Sequence, residues 1–250
     1  MFTAREIIIF CVGLALALAI CLMVGWIRSA RRKSNLIRRD ANRATLNAQA
    51  RLSQIDGEFV LLAGDSTVAH LVLNPIADLP VIEVALPGLT SDQFHARIAS
   101  ILAGRRPRIT VLSIGANDAL QNGAGETTRG HFRDNLGKIA RTVAGTQATF
   151  ILSLPRIDAA SPDYSHRATA MDRLNREVSA FAREQRWIYV DGAQICDAAA
   201  RDGQPMASLD GLHLTPDASR EITQALRQRI ASVLDPDSKK PAPADRPFQA

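Results

Sequence analysis

Five short apolar runs, at 58–64 (EFVLLAG), 80–85 (PVIEVA), 108–114 (RITVLSI), 148–153 (ATFILS) and 187–190 (WIYV), constrain the fold of this chain more than any other feature. They are rich in β-branched residues and bounded by Gly, Pro or Asp. Continuous apolar character over so few residues is what a strand buried on both faces requires. Between the runs lie helix-length segments at about 91–104, 129–145 and 167–186, and a further one spans 216–234. In the third, Ala170, Leu174, Val178 and Phe181 recur at helical spacing and mark one apolar face. Strands that alternate with helices predict a parallel sheet with right-handed crossovers, so the expected fold class is α/β. In such sheets ligands bind beyond the carboxyl ends of the strands, which directs attention to the residues that follow each run.

Those residues are chemically selective. Gly64-Asp65-Ser66 follows the first run, Pro87-Gly88 the second, and Gly115-Ala116-Asn117-Asp118 the third. Asp210-Gly211-Leu212-His213 comes after the last run and a loop, just ahead of the final helix. A serine hydroxyl is a weak nucleophile until a base removes its proton, and Ser66 at a strand-to-helix turn is exposed with a helix dipole behind it. His213 is the candidate base, and Asp210 the acid that fixes its tautomer and stabilises the imidazolium. The oxyanion formed on attack needs preorganised donors. The backbone N–H groups of Ser66 and Gly88 and the side-chain amide of Asn117 are the candidates. Asp118 is expected to tether the Asn117 loop behind Gly115, and Asp65 to support the turn around Ser66. Taken singly, each block also reads as an ordinary turn, helix cap, polar loop or surface pair. Four of them, all beyond strand ends, favour a site.

At these residues the sequence resembles the SGNH (GDSL-like) family of serine esterases and acyl hydrolases. The likeness spans roughly residues 58–232 and rests on Gly64-Asp65-Ser66, Gly88, Gly115-Ala116-Asn117-Asp118 and Asp210-Gly211-Leu212-His213, in the family's order. It implies a flavodoxin-like three-layer sandwich around a five-stranded parallel sheet of order 2-1-3-4-5, no metal or cofactor, and the roles given above. Thr67-Val68 stands where the family often has Leu-Ser or Leu-Thr. Leu86-Pro87-Gly88 lacks the Asn that often stands two residues before the glycine. The Gly-x-Ser-x-Gly elbow of other hydrolases does not fit, because Val68 occupies its second glycine position. The expected reaction is cleavage of a carboxylic ester through a Ser66 acyl-enzyme, on a small-molecule, carbohydrate or lipid ester such as an O-acetyl sugar. Acyl transfer to a sugar hydroxyl is the alternative enzyme. A catalytically silent ligand-binding module of a membrane complex is the alternative of another class, and the intact Ser66, Asp210 and His213 speak against it.

The N-terminal arm is of a different kind. Residues 7–27 (IIIFCVGLALALAICLMVGWI) are twenty-one in a row without a charge, enough as a helix to span a hydrocarbon core of about 30 Å. A cleaved signal would have a shorter apolar region ending in small residues at a polar boundary, whereas Ala15, Ala17 and Ala19 are followed by more hydrophobics. Residues 1–28 are therefore expected to be an uncleaved transmembrane anchor contacting the bilayer through residues 7–27. Residues 29–57 are expected to be a basic juxtamembrane linker helix, 58–234 the hydrolase domain, and 235–250, polar and Pro-rich, a disordered tail. Arg28, Arg31, Arg32, Lys33, Arg38 and Arg39 follow the apolar run, and by the positive-inside rule they place the C-terminal side in the cytoplasm. The family resemblance is equally compatible with a role outside the membrane. Residues 1–57 carry nine Lys/Arg against three Asp/Glu, and residues 58–250 twenty-one against twenty-two. The body thus has no positive excess to neutralise phosphates, which argues against nucleic acid as a partner.

Three cysteines, Cys11, Cys21 and Cys196, give no disulfide framework and are read as small buried hydrophobes. His70 lies one helical turn beyond Ser66 and is read as a helix-surface residue rather than a wall of the pocket. His95, His131 and His166 are read as structural or solvent-facing, none having metal-ligand spacing. Asn122-Gly123-Ala124-Gly125 is expected to be a flexible loop near the site.

Overall fold

The computed structural model describes residues 3–158, 160–199 and 210–235, and within residues 4–12 and at 15 and 199 the backbone alone. The chain divides into two compact units, Met1–Asn42 and Arg43–Ala250. The second contains five strands: β1 (Val60–Gly64), β2 (Val81–Ala85), β3 (Ile109–Ser113), β4 (Ala148–Leu152) and β5 (Ile188–Val190). All pair in parallel, in the order β2-β1-β3-β4-β5. Each lies inside one of the five apolar runs, and the order is the one the family resemblance implies. Central β1 and β3 are buried at every residue, but edge strand β2 exposes Glu83. An edge has one flank open to water, so the run 80–85 admits a charge that the central runs do not.

The helices are α1 (Ala4–Ser53), α2 (Ser66–Ala69), α3 (Ser91–Leu102), α4 (Ala116–Asn122), α5 (Glu126–Thr142), α6 (Ala168–Gln185), α7 (Gly192–Ala199) and α8 (Pro216–Leu234), with one 3-10 turn at Ser165–Arg167. Four of these match the expected segments closely. On α6, Met171 takes the buried place expected of Ala170, which is only half-buried. The short helices α2, α4 and α7 were not among the expected ones, since four to eight residues carry too little periodicity to show. All three begin directly beyond a strand, where the site is built.

On one face of the sheet Val60, Leu62, Val111, Phe150, Leu152 and Val190 form one core with Val68 of α2, Cys196 of α7 and Ile222, Leu226 and Ile230 of α8. By strand alternation Leu61, Ala63, Leu112 and Ile151 face the other side, the side of α3, α5 and α6. Helices on both faces make the three-layer sandwich.

Helix α1 is a single helix through residue 28, where the anchor was expected to give way to a separate linker. Among the described residues no helix is long and apolar enough to cross a membrane. Seven of the twenty-one residues in the apolar run, Cys11 among them, have side chains outside the description. Leu14, Leu16, Leu18, Leu22 and Trp26 are bare on the helix surface, and Cys21 is exposed rather than buried as expected. The tail at 236–250 lies outside the described residues.

The last turns of α1 belong to the second unit, so the linker does not run free to Gly57. Ala48 and Leu52 are buried, and Gln49 Nε2 donates to the Ser100 carbonyl of α3 at 3.1 Å. The Arg105 guanidinium donates to the carbonyls of Leu52, Ile55 and Gly57 and lies 5.6 Å from the Phe59 ring. A cation on the last carbonyls of a helix satisfies acceptors that have no partner within the helix. Leu52→Ala is therefore expected to cost about 2–4 kcal/mol, and Leu46→Ala, at an exposed position, about 0.5 kcal/mol or less, both read from urea denaturation.

Candidate active site

The site begins with a close approach that only glycine permits. A Cβ on Gly64 would stand 1.9 Å from the Ser113 carbonyl oxygen of the neighbouring strand. The Asp65 N–H donates to that same oxygen at 3.0 Å, holding the chain against β3 as it turns into α2. Asp65 is the N-cap: one carboxylate oxygen accepts from the Thr67 N–H at 3.0 Å, and the other is buried with no hydrogen-bond partner. Burial pushes the Asp65 carboxyl up to about 6, against the pull of the Thr67 bonds and of the nearby Ala116 amide. Ser66 is thereby presented, half-buried, as the first residue of α2. With only four residues, α2 supplies a weaker dipole than the sequence reading assumed.

The two flanking loops start level with Ser66. Gly64 is in register with Ala85 of β2 and Ser113 of β3, and the Leu86 N–H donates to the Gly64 carbonyl at 2.8 Å. Residues 86–89 then form a turn closed by a 3.4 Å bond, with Pro87 second and Gly88 third at φ 79°, the positions of a type II turn. The left-handed conformation explains the glycine, and Pro87 occupies a position whose N–H such a turn does not use. On the other side Gly115, at φ 125°, caps α4, and a Cβ there would meet the Phe132 ring at 2.7 Å. Asn117 follows in α4, its side-chain nitrogen buried and without a hydrogen-bond partner. The N–H groups of Ser66 and Gly88 also donate to nothing among the described residues. A buried donor without a partner, as the Asn117 amide is, costs about 1–3 kcal/mol, and such a donor beside two free backbone N–H groups suits a site that receives negative charge.

Asp118 faces away from this chemistry. Its carboxylate accepts from the Ser91 N–H at 2.8 Å and the Ser91 hydroxyl at 2.6 Å, and Asn135 donates to the same hydroxyl at 3.1 Å. These bonds tie α4 to the start of α3 and to α5. Burial raises the Asp118 pKa, and the Ser91 bonds oppose the rise.

His213 and Asp210 meet directly. Imidazole Nδ1 lies 2.5 Å from Asp210 Oδ2, while Asp210 Oδ1 accepts the N–H groups of Leu212 at 3.0 Å and His213 at 2.9 Å. The turn is docked on the segment after β4: the Ser161 hydroxyl donates to the Asp210 carbonyl at 3.2 Å, and the Asp158 N–H to the Gly211 carbonyl at 2.9 Å. Ser161 was not foreseen, since nothing in its local sequence marks it. Both side chains of the pair are more than a third exposed, so it serves orientation more than stability. No hydrogen bond joins Ser66 to His213 among the described residues; in free enzymes such bonds are often long and tighten with substrate.

His70 is exposed at the end of α2, as a helix-surface residue is, and it also stands beside the candidate base. Its ring centroid is 5.6 Å from that of His213, tilted by 43°. The signal available in the sequence was its spacing of four from Ser66. His95, by contrast, reaches only the Asp92 carbonyl, at 3.3 Å, and His131 and His166 are exposed. Residues 123–125 are a short connection between α4, which carries Asn117, and α5. Among the described residues no group of His, Cys, Asp and Glu is placed to hold a metal. A mainly apolar cavity of about 280 Å³ is walled by Thr67, Leu212 and Leu214, the chain neighbours of Ser66 and His213, with Leu152, Ala193 and Cys196; Ser66 and His213 themselves do not line it. Burial pushes the Cys196 thiol up to about 11, so it stays protonated as part of that wall.

A five-stranded parallel sheet with a serine and free donors beyond adjacent strand ends, and a His–Asp pair whose ring faces the end of the helix that Ser66 begins, fits a serine hydrolase acting on ester bonds. Residues 62–221 match the GDSL-like Lipase/Acylhydrolase family, and the chain belongs to that family. Among solved structures it is similar to the lipase/acylhydrolase from Enterococcus faecalis, with 18% identity and a TM-score of 0.59 over 70% of this chain and 96% of that one. It is similar also to a carbohydrate acetylesterase family member from Sinorhizobium meliloti, with 18% identity and a TM-score of 0.55 over 71% and 99%. The aryl esterase of M. smegmatis aligns with 16% identity and a TM-score of 0.54 over 71% and 100%. At these identities the likeness is one of fold. No curated protein matches the chain.

Asp65 carries a pH signature. In the folded protein its carboxyl keeps its proton up to about pH 6, and in the unfolded chain only up to 3.8. The native state therefore binds more protons between those values, and stability falls as pH rises through them, by about 3 kcal/mol for a fully buried group. Asp65→Asn is expected to gain about that much on the wild type between about pH 4 and 7.5 in urea denaturation.

Proposed function

We propose that this protein is a membrane-anchored serine esterase that cleaves carboxylic esters through an acyl-enzyme on Ser66. The observation that carries the reading is the 2.5 Å bond between His213 Nδ1 and Asp210, in a chain whose serine block, glycine turn and buried asparagine amide begin at adjacent strand ends. Ser66 Oγ attacks the ester carbonyl as its proton passes to His213 Nε2, and Asp210 holds the imidazolium that forms. The negative oxygen is received by the N–H groups of Ser66 and Gly88 and by the Asn117 amide. Collapse breaks the ester C–O bond, and the alcohol leaves with the proton from Nε2. Water then repeats the sequence and frees the acid. Asp65 and Asp118 hold the Ser66 and Asn117 turns in place, and Gly115 allows the latter to form.

For the substrate, one structural neighbour is described as a carbohydrate acetylesterase family member and another as a lipase/acylhydrolase. The cavity of about 280 Å³ favours the second kind of ester. Its mainly apolar walls suit an acyl chain longer than acetyl. The anchor is supported by the uncharged run of residues 7–27 and by the bare Leu14, Leu16, Leu18, Leu22 and Trp26. The basic residues that follow favour a hydrolase domain on the cytoplasmic side. Fusions at Gly57 and Ala250 of a reporter active only outside the cytoplasm are expected to be inactive, and activity would reverse that assignment.

The central test is hydrolysis of p-nitrophenyl acetate, butyrate and octanoate by the full chain in detergent. Ser66→Ala and His213→Ala are expected to lower kcat by about 10⁴-fold or more, and Asn117→Ala by about 10²–10³-fold. Ala193→Trp, filling the cavity, is expected to lower the octanoate-to-acetate ratio of kcat/KM by about tenfold. A folded wild type that turns over none of these esters would redirect the reading to acyl transfer with an obligatory sugar acceptor.

A further inference from the structure

We propose that His70 is a positioning residue for the general base: its imidazole stands against the His213 ring and confines it to the orientation in which Nε2 addresses Ser66. The proposal rests on the esterase reading of the site and adds to it a fourth side chain.

His213 needs a second restraint. Asp210 holds Nδ1 alone, and a single hydrogen bond at one edge of a ring leaves it free to swing about that bond. The side chain is 36% exposed, and water on that surface restrains nothing. A ring centroid at 5.6 Å and a tilt of 43° supply the missing contact, within the range that aromatic pairs prefer. His70 is itself firmly placed. Its N–H donates to the Thr67 carbonyl at 3.2 Å, its carbonyl accepts the Ser219 hydroxyl from α8, and the next residue, Leu71, is buried and donates its N–H to the Val68 carbonyl at 2.9 Å. One backbone position thus joins the helix that begins with Ser66 to the helix that follows His213.

The charge state suits the task. Burial lowers the His70 pKa, a charge on His213 lowers it further, and Asp210 opposes both. His70 therefore remains neutral while His213 carries the proton taken from Ser66, and the contact does not become a repulsion at the moment the imidazolium forms. A flat, uncharged ring is what the position requires.

The test compares wild type, Ser66→Ala, His70→Ala and His70→Phe as full-length protein in detergent, on p-nitrophenyl butyrate between about pH 6 and 9. His70→Ala is expected to lower kcat by about tenfold with KM within about twofold, and His70→Phe to recover it to within about threefold of wild type with the shape of the pH profile retained. The His213 Nδ1–H proton resonance is expected to broaden in His70→Ala and to stay sharp in His70→Phe. An unchanged kcat in His70→Ala, a loss carried by KM, or a Phe variant as impaired as the Ala variant would overturn the proposal. If Ser66→Ala kept full activity, the esterase reading itself would fail. The Nδ1–H resonance would still decide the role of His70, since a signal unchanged in His70→Ala overturns it whatever the turnover.

Discussion

The contact on which the site depends is the approach of Gly64 to the Ser113 carbonyl, where β1 and β3 lie too close for any side chain. Because the Asp65 N–H takes up that carbonyl, the chain leaves the sheet at a fixed point and angle. Ser66 is thus placed by buried backbone rather than by a loop. The Gly88 turn and the Asn117 helix start inherit the same origin through strand register. Three loops that would otherwise wander are aligned by the spacing of adjacent strands, about 4.8 Å.

Two kinds of support meet at this edge. The proposed oxyanion donors are held by the turn at Gly88 and by the Asp118–Ser91–Asn135 bonds beside Asn117. Such dipoles act on developing charge without having to reorganise first. The base lies on a more exposed turn, oriented by Asp210 and by contacts with residues from distant parts of the chain. The buried Asp65 carboxyl, a charge the fold would rather not keep, shows what the sharp turn at the nucleophile costs in stability.

The sheet was legible because its signal is local: each strand is a run of apolar residues that nothing else in a globular chain explains. The four long helices followed from the intervals between them. The candidate site residues stood out because they follow strand ends, where Gly, Asp, Ser and Asn have no structural need to gather. What escaped the sequence has no local signature. Helices α2, α4 and α7 are shorter than the window in which periodicity emerges. The packing of Leu52 and the grip of Arg105 on the end of α1 depend on partners some fifty residues away in the chain, and Ser161 serves Asp210 across forty-nine. His70 was visible as a spacing from Ser66, but its contact with His213 spans the whole domain.

The proposed nucleophile and base are thus fastened in different ways. Ser66 cannot leave its place without disrupting the central strands. The Asp210–His213 turn is fastened to the body by hydrogen bonds at Asp158 and Ser161 and by the small apolar wall of Leu212. The turn also runs directly into α8, with Leu214 packed against the core and Thr215 capping the helix, so the His–Asp pair is held between the segment after β4 and the helix layer of the opposite face.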